Sequence, residues 1–415
     1  MSSPALTPPV VLLLSVTAGT AVSLVYYVQP LLDTIATDLN VSAGAAGLLV
    51  TASQIGFAFG LAFLVPLGDL LDRRRLVAGM LAASGLVSLA AGLAPTFSVL
   101  CALLVLAGIT SAAAQIVVPF AASLAAEDQR GRITGTVMSG LLLGILLART
   151  ISGAITEIGG WRLVYFVAAI LVALLALLVW RMLPSVTTPA TTSYAGLLHS
   201  VLVLVREHPV LRGRMALGLL SMAQFSAMWT ASSFLLARTY HFSDGVIGLF
   251  GLAGAAGALG APLAGRLADR GHGHHASTAA WLCLLAGWGL LAWGNHNLTA
   301  LIIGMLVFDL GAQGAQISNQ NKIYALDPDA RSRITTAYMV TYFIGGVLGS
   351  VIAGYTYQLS DWTAVCTLGA TTAATGLILW GLLHRLIEHE PNPRDVLVDL
   401  QRQKVHTSSP GANGE

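Results

Sequence analysis

Apolar runs of about twenty residues alternate with short polar joins along this chain, and that alternation leaves few folds open. A run such as "GLLVTASQIGFAFGLAFLVPLG" (47–68) carries no charged residue and, as a helix, is long enough to cross the hydrocarbon core of a bilayer. Twelve such runs are read at about 10–32, 44–67, 76–94, 98–124, 133–157, 161–183, 213–237, 245–267, 276–294, 298–325, 333–357 and 363–386. With 55% hydrophobic and 10% charged residues, the 415-residue chain has too little charge to cover a soluble domain, so an all-α, multi-pass membrane protein is expected.

Several function classes fall away on residue types alone. The two lysines, Lys322 and Lys404, do not follow a glycine, so no phosphate-binding loop of the GK type exists and ATP hydrolysis is not expected. No HExxH sequence occurs, and the polar residues of the runs are not gathered into a nucleophile–base set, so the chain is not expected to be an enzyme. Cys101, Cys283 and Cys366 lie in apolar runs and read as small buried hydrophobes. His272, His274 and His275 read as a solvated loop, with no acid or cysteine to complete a metal set. The start, "MSSPALTPPV", lacks the basic residues of a signal peptide and reads as the approach to a retained helix.

Orientation follows from the basic residues. Of twenty-one Lys and Arg, only Arg149, Arg162 and Arg238 fall away from one side when both termini are placed in the cytoplasm. The longest interior join starts with "PSVTTPATTS" and continues as the amphipathic "YAGLLHSVLVLVRE". The expected organisation is a six-helix bundle over 1–183, a cytoplasmic linker over 184–212, a second six-helix bundle over 213–386 and a cytoplasmic tail over 387–415.

The two halves repeat one another. Gly68, Asp72 and Arg73 in "PLGDLLDRRR" align with Gly265, Asp269 and Arg270 in "PLAGRLADRG". With a slightly larger offset, Gln115 aligns with Gln316, Gly144 with Gly345, Gly153 with Gly354 and Trp161 with Trp362. Parallel repeats of this kind describe transporters whose substrate lies between the halves near mid-membrane. On these residues the chain resembles the major facilitator superfamily, over roughly 10–386. "QPLLDTIATDL" together with "GLLVTASQIGFAFGLAFLVPLGD" resembles more narrowly its bacterial efflux-permease branch, which includes drug:proton antiporters and sugar-efflux permeases.

The resemblance implies a cytoplasmic gate of Gly68, Asp72, Arg73 and Glu127 with the repeats Gly265, Asp269 and Arg270. Asp72 would cap a facing helix beginning near Ile334, and Arg73 would pair with Glu127 or Asp128. The alternative is that the arginines act only as positive-inside charges. The family's antiporters carry a glycine-proline signature on the fifth helix; here Ala148-Arg149 stands in its place, and the fourth helix lacks the arginine of many drug antiporters.

Arg149 lies about 25 Å along the helix from Arg132, past mid-membrane, where a charge is costly. A pathway residue, a structural partner to a carbonyl or acid, and a snorkelling side chain are the three readings. Asp309, the one carboxylate deep inside a run, sits at a similar depth, about 17 Å from Leu298. Asp309, Gln313 and Gln316 share a helical face, with Asn319 further on. Gln115 is expected to face Gln316 across the pseudo-twofold, and Gln29, Gln54, Tyr26 and Trp229 to add walls. Each glutamine has the plainer alternative of a helix–helix hydrogen bond.

The reading that joins these features is a secondary transporter in a bacterial cytoplasmic (inner) membrane, moving a small molecule by alternating access and exporting it against protons, with Asp309 as proton site. Uptake of a small polar or anionic solute is the alternative, and a receptor on the same fold a more distant one. The proton gradient is the expected energy source, without cofactor or metal. The expected partners are substrate, protons and lipid, not nucleic acid, with the chain as a monomer.

Overall fold

The computed structural model describes residues 7–185, 193–254, 273–327 and 330–387. Among them the secondary structure is helical: α1 (Pro8–Ser23), α2 (Leu32–Asp38), α3 (Ala43–Phe63), α4 (Arg73–Gly92), α5 (Phe97–Ser111), α6 (Ala113–Leu124), α7 (Arg130–Met182), α8 (Tyr194–Glu207), α9 (Pro209–Arg238), α10 (Asp244–Phe250), α11 (Gly273–Trp293), α12 (Leu298–Tyr324), α13 (Arg331–Ser360) and α14 (Trp362–Ile387). Nine helices among the described residues are long and apolar enough to cross a membrane. The difference from twelve has local causes. The first run stops as a helix at Ser23 and continues through turns. The fifth and sixth runs are joined in α7, and most of the eighth (245–267) lies outside the described residues.

Helix starts follow side-chain chemistry. Ser42 accepts a hydrogen bond from Ala45 N at 3.2 Å and Asn297 from Ala300 N at 3.0 Å, satisfying amides that a first turn leaves free. α7 is broken at Gly160, whose φ of +76° suits a residue without Cβ, just before Trp161. The second half makes the same corner with Asp361, at φ +93°, before Trp362. Here Asp361 Oδ1 accepts from Thr363 N at 2.7 Å, so an N-cap bond offsets the strained backbone. The two tryptophans align in the repeat, and both are buried with a bonded indole: Trp161 donates to Asp38 and Trp362 to the Leu291 carbonyl.

Small residues set which helices lie closest. A Cβ on Gly140 or Gly144 would run into the Ser15 or Gly19 backbone, so the small-residue stripe of α7 packs on α1. Gly345 and Gly349 of α13 stand equally close to the carbonyls of Leu219 and Ala223 in α9.

Helices before residue 183 meet those after 209 along α3–α13, α7–α10 and α2–α9. Thr51 and Ser350 hydroxyls lie 2.8 Å apart, Gly44 N donates to Gln358 Oε1 at 2.9 Å, and Ser233 donates to the Gln29 carbonyl at 2.7 Å. Among the described residues the hydrogen bonds crossing between these two sets lie at mid-depth or toward the end expected outside. That end is closed.

Candidate functional site

Arg149 is buried, with 3% of its surface exposed, and its surroundings come from both sets of helices. Its Nε donates to Gln29 Oε1 at 2.6 Å. Gln29 reaches that position because α1 unwinds after Ser23 and the chain re-forms as a short 3-10 turn over Gln29–Leu31. The guanidinium lies 4.0 Å above the Trp229 ring, with Tyr26 at 5.2 Å and Phe225 at 5.7 Å. Such cation–π contacts contribute about 2 kcal/mol or more when desolvated, which is why the arginine does not need to snorkel. Its Nη2 nevertheless has no hydrogen-bond partner.

Asp309, on α12, is 1% exposed, and both of its carboxylate oxygens lack a hydrogen bond. Its charge interacts with that of Arg149, yet the two do not form an ion pair among those of the described residues. The Trp229 indole approaches the carboxylate without closing a hydrogen bond, and its Nε1 is unbonded. Unbonded buried polar groups cost about 1–3 kcal/mol each, more when charged, so their gathering at one place is unusual for a structural core.

The other expected wall residues separate. Gln54 donates to Ser226 Oγ at 2.7 Å across the two sets of helices, leaving its Oε1 unbonded. Gln313 is half-buried on the face of Asp309. Gln316 is taken up by α13, accepting from Tyr338 Oη at 2.6 Å and donating toward Met339 Sδ. No hydrogen bond joins it to Gln115, the residue expected to face it across the pseudo-twofold; the Tyr338 hydroxyl one helix away takes the amide oxygen. Asn319 binds Arg214, whose Nη1 donates to its Oδ1 at 3.1 Å, and donates to Tyr338 Oη at 3.3 Å.

Arg214 is the residue that sequence reasoning missed. It is 1% exposed, stacks 4.7 Å over Trp380 and leaves Nε and Nη2 unbonded. In a run starting at 213 it is a border charge; α9 starts at Pro209, and that extra turn draws it into the bundle. The available signal was Pro209, a residue favoured at a first helical turn.

The pairs expected to close the cytoplasmic gate in one state and break in the other are not formed in this arrangement, in which the opposite end is closed. Asp72 caps its own helix, accepting from Arg74 N at 2.9 Å and Arg75 N at 3.3 Å, and also accepts from Ser185 of the linker. It does not reach the helix containing Ile334, whose first turn follows Ala330. Arg73 pairs with Asp69 at 3.0 Å and donates to the Gly68 and Pro119 carbonyls; Glu127 is exposed and is not its partner. The physical reason is proximity: Asp69 is one turn from Arg73. A Cβ on Gly68 would come within 3.1 Å of Ile116, so the glycine does serve close packing. Gly265, Asp269 and Arg270 lie outside the described residues.

At the expected outer end stands a second cluster that no motif announced. Arg238 Nε donates to Asp33 Oδ1 at 2.6 Å, Thr34 Oγ1 to Asp244 Oδ2 at 2.6 Å, and Gly245 N to Glu157 Oε1 at 2.9 Å. Each bond crosses between the two sets of helices, and Asp33, Thr34, Glu157 and Asp244 line a cavity of about 580 Å³. Asp244 precedes the eighth run; burial first, then the Glu157 and Asp33 carboxylates, push its pKa up to about 6, against the opposing Thr34 hydrogen bond.

Comparison with known proteins places the architecture. The Major Facilitator Superfamily model matches residues 11–276 and 214–404. The chain is 50% identical over 378 residues to the "Uncharacterized transporter YgaY" of Escherichia coli O157:H7, covering 90% of this chain and 95% of that one. It is 32% identical over 363 residues to the "Probable transporter SCO4007" of Streptomyces coelicolor, covering 87% and 84%. In fold it resembles the crystal structure of a point mutant of the nucleoside transporter NupG, with a TM-score of 0.72 at 13% identity over 90% of this chain and 99% of that one. Its relatives are transporters rather than enzymes. This multi-pass membrane chain belongs to the Major Facilitator Superfamily.

Proposed function

We propose that the protein is a secondary active transporter of a bacterial cytoplasmic membrane, exporting a small molecule in exchange for protons. Twelve spans form two bundles, 1–183 and 213–386, with both termini in the cytoplasm; the linker over 184–212 joins them, and they rock about the central site. The observation that carries this reading is the juxtaposition of Arg149 and Asp309: one charged side chain from each bundle, both buried, both with unbonded polar atoms, and no ion pair between them.

Asp309 takes up the proton in this scheme. A carboxyl in a water-poor interior alternates between a neutral form and a charged form stabilised by substrate and Arg149, and that alternation couples the two fluxes. Closure at Asp33–Arg238 and Thr34–Asp244 seals the outer side while substrate enters from the cytoplasm. The proton gradient supplies the energy, with no cofactor. Everted vesicles loaded by a pH gradient test the coupling: wild type accumulates substrate on acidification of the lumen, whereas Asp309→Asn transports without responding to the gradient. Full gradient-driven accumulation by Asp309→Asn removes Asp309 as the proton carrier. Uptake of an anionic solute is the second reading, favoured by the unbonded Nη2 of Arg149; the same vesicles separate it by the direction of flux.

A further inference from the structure

We infer that the central site, on its reading above as the translocation site, takes a small zwitterion of the amino-acid type, its carboxylate held by Arg149 and its ammonium by Asp309. Three unbonded groups define the chemistry. Arg149 Nη2 and Trp229 Nε1 are donors, and the two oxygens of Asp309 are acceptors. All are buried, and Gln29 fixes the guanidinium by its Nε so that the Nη2 edge is the part left over.

Charge balance selects among ligands. While Asp309 is in its charged, proton-free form, a monoanion on Arg149 would leave that carboxylate without a cation, and a monocation on Asp309 would leave Arg149 and its donors unmatched. Either arrangement keeps one buried group without a partner, the costly outcome for a charge in a dry site. An organic cation is disfavoured further because the aromatic faces that would stack on it, those of Tyr26, Phe225 and Trp229, are already covered by the guanidinium of Arg149. A zwitterion supplies an acceptor for the donors and a donor for the acceptors, and adds no net charge to the buried site. Room beside the carboxyl is left by Gly254, where a Cβ would already stand 3.5 Å from Asp309 Oδ2. Tyr26 and Phe225, both buried beside Arg149, are the apolar neighbours for the remainder of the molecule.

The test is equilibrium binding to the full-length protein in lipid nanodiscs at neutral pH, read by tryptophan fluorescence and by thermal shift. The probes are L-leucine, L-phenylalanine and L-glutamine, with L-leucinamide as the cation-only and N-acetyl-L-leucine as the anion-only comparison. At least one free amino acid binds, and the leucine pair of derivatives binds at least about tenfold more weakly than leucine, since each loses one charged partner. Arg149→Gln lowers leucine binding toward that of leucinamide, and Asp309→Asn lowers it toward that of the N-acetyl compound. Thermal unfolding of the ligand-free variants separates lost binding from lost folding. Binding of either derivative as tight as that of leucine, or of none of the three amino acids, overturns the zwitterion assignment. Binding is read without a pH gradient, so an intact preference accompanied by absent gradient-driven flux counts against proton coupling alone.

Discussion

Arg149 is tolerated in its helix because its surroundings replace water on most sides: an amide oxygen below it and three aromatic faces around it. Gln29 is the hinge of that arrangement. Gln29→Ala frees the guanidinium and exchanges a charge-assisted hydrogen bond, about 1.5–3 kcal/mol, for an unbonded Nε. The expected outcome is a fall in thermal stability of that order together with weaker substrate binding, measured on the same sample; unchanged values for both would show that Gln29 is a bystander. Arg214 makes a contrasting case. It binds Asn319 and stacks on Trp380 within one set of helices, so Arg214→Lys, which keeps charge but not the planar fork, destabilises the fold while leaving the central site's ligand preference intact. Thermal unfolding and the leucine titration check the two halves of that statement.

Between elements, the informative contacts are those that hold helix ends together across the two sets. Asp244, at the start of α10, accepts from Thr34 of α2, with Asp33 of α2, Glu157 of α7 and His241 of the preceding loop around it. Its pKa is pushed up to about 6, mainly by burial, from an ordinary aspartate value of 3.8. A raised pKa in the closed arrangement means that closure binds the proton more tightly than an open, hydrated end does. The stabilisation of closure is therefore complete below the ordinary value and is lost as pH rises through about 6. Spin labels at the exposed positions Thr37 and Thr239 should report a larger closed fraction at external pH about 5 than at about 7, a difference that Asp244→Asn removes. A pH response unaltered in that variant would assign the effect to another group. The close helix pair α1–α7 behaves differently: Gly144→Leu forces apart backbones that touch at Gly19, and loss of the folded protein is the expected result.

For the whole molecule, the proposed alternating access requires that the ties at the end expected outside break once per cycle. The double substitution Asp33→Cys with Arg238→Cys, joined by a short bifunctional thiol reagent, should hold the outer end shut and abolish transport while leaving cytoplasmic-side binding intact. Transport that persists after complete cross-linking would mean that this end does not open. The three native cysteines are at least partly buried in helices, which favours selective reaction at the introduced pair.

Much of this was legible before any tertiary contact was known, and the reason is the bilayer. A solvent without hydrogen-bonding partners obliges each run to close its own backbone bonds as a helix, so run length carries the all-helical architecture directly. The duplication was legible too, and the paired corners at Gly160-Trp161 and Asp361-Trp362 give it structural form. The burial of Arg149 and Asp309 was likewise expected from their positions inside apolar runs. What the chain order does not encode is which way a side chain turns when several partners compete. Gln316 goes to Tyr338 rather than Gln115, and Arg73 goes to Asp69 rather than Glu127. Arg214 enters the bundle because α9 starts a turn early. The outer ties of Asp33, Thr34, Glu157, Arg238 and Asp244 join residues far apart in sequence. The helices, their repeat and the two buried charges were thus written in the chain order, since they depend on local composition and on the solvent. That the two charges stay unpaired, with the helix ends around Asp33, Arg238 and Asp244 tied together, came from the folded arrangement alone, because such pairings are contests between distant residues that only packing resolves.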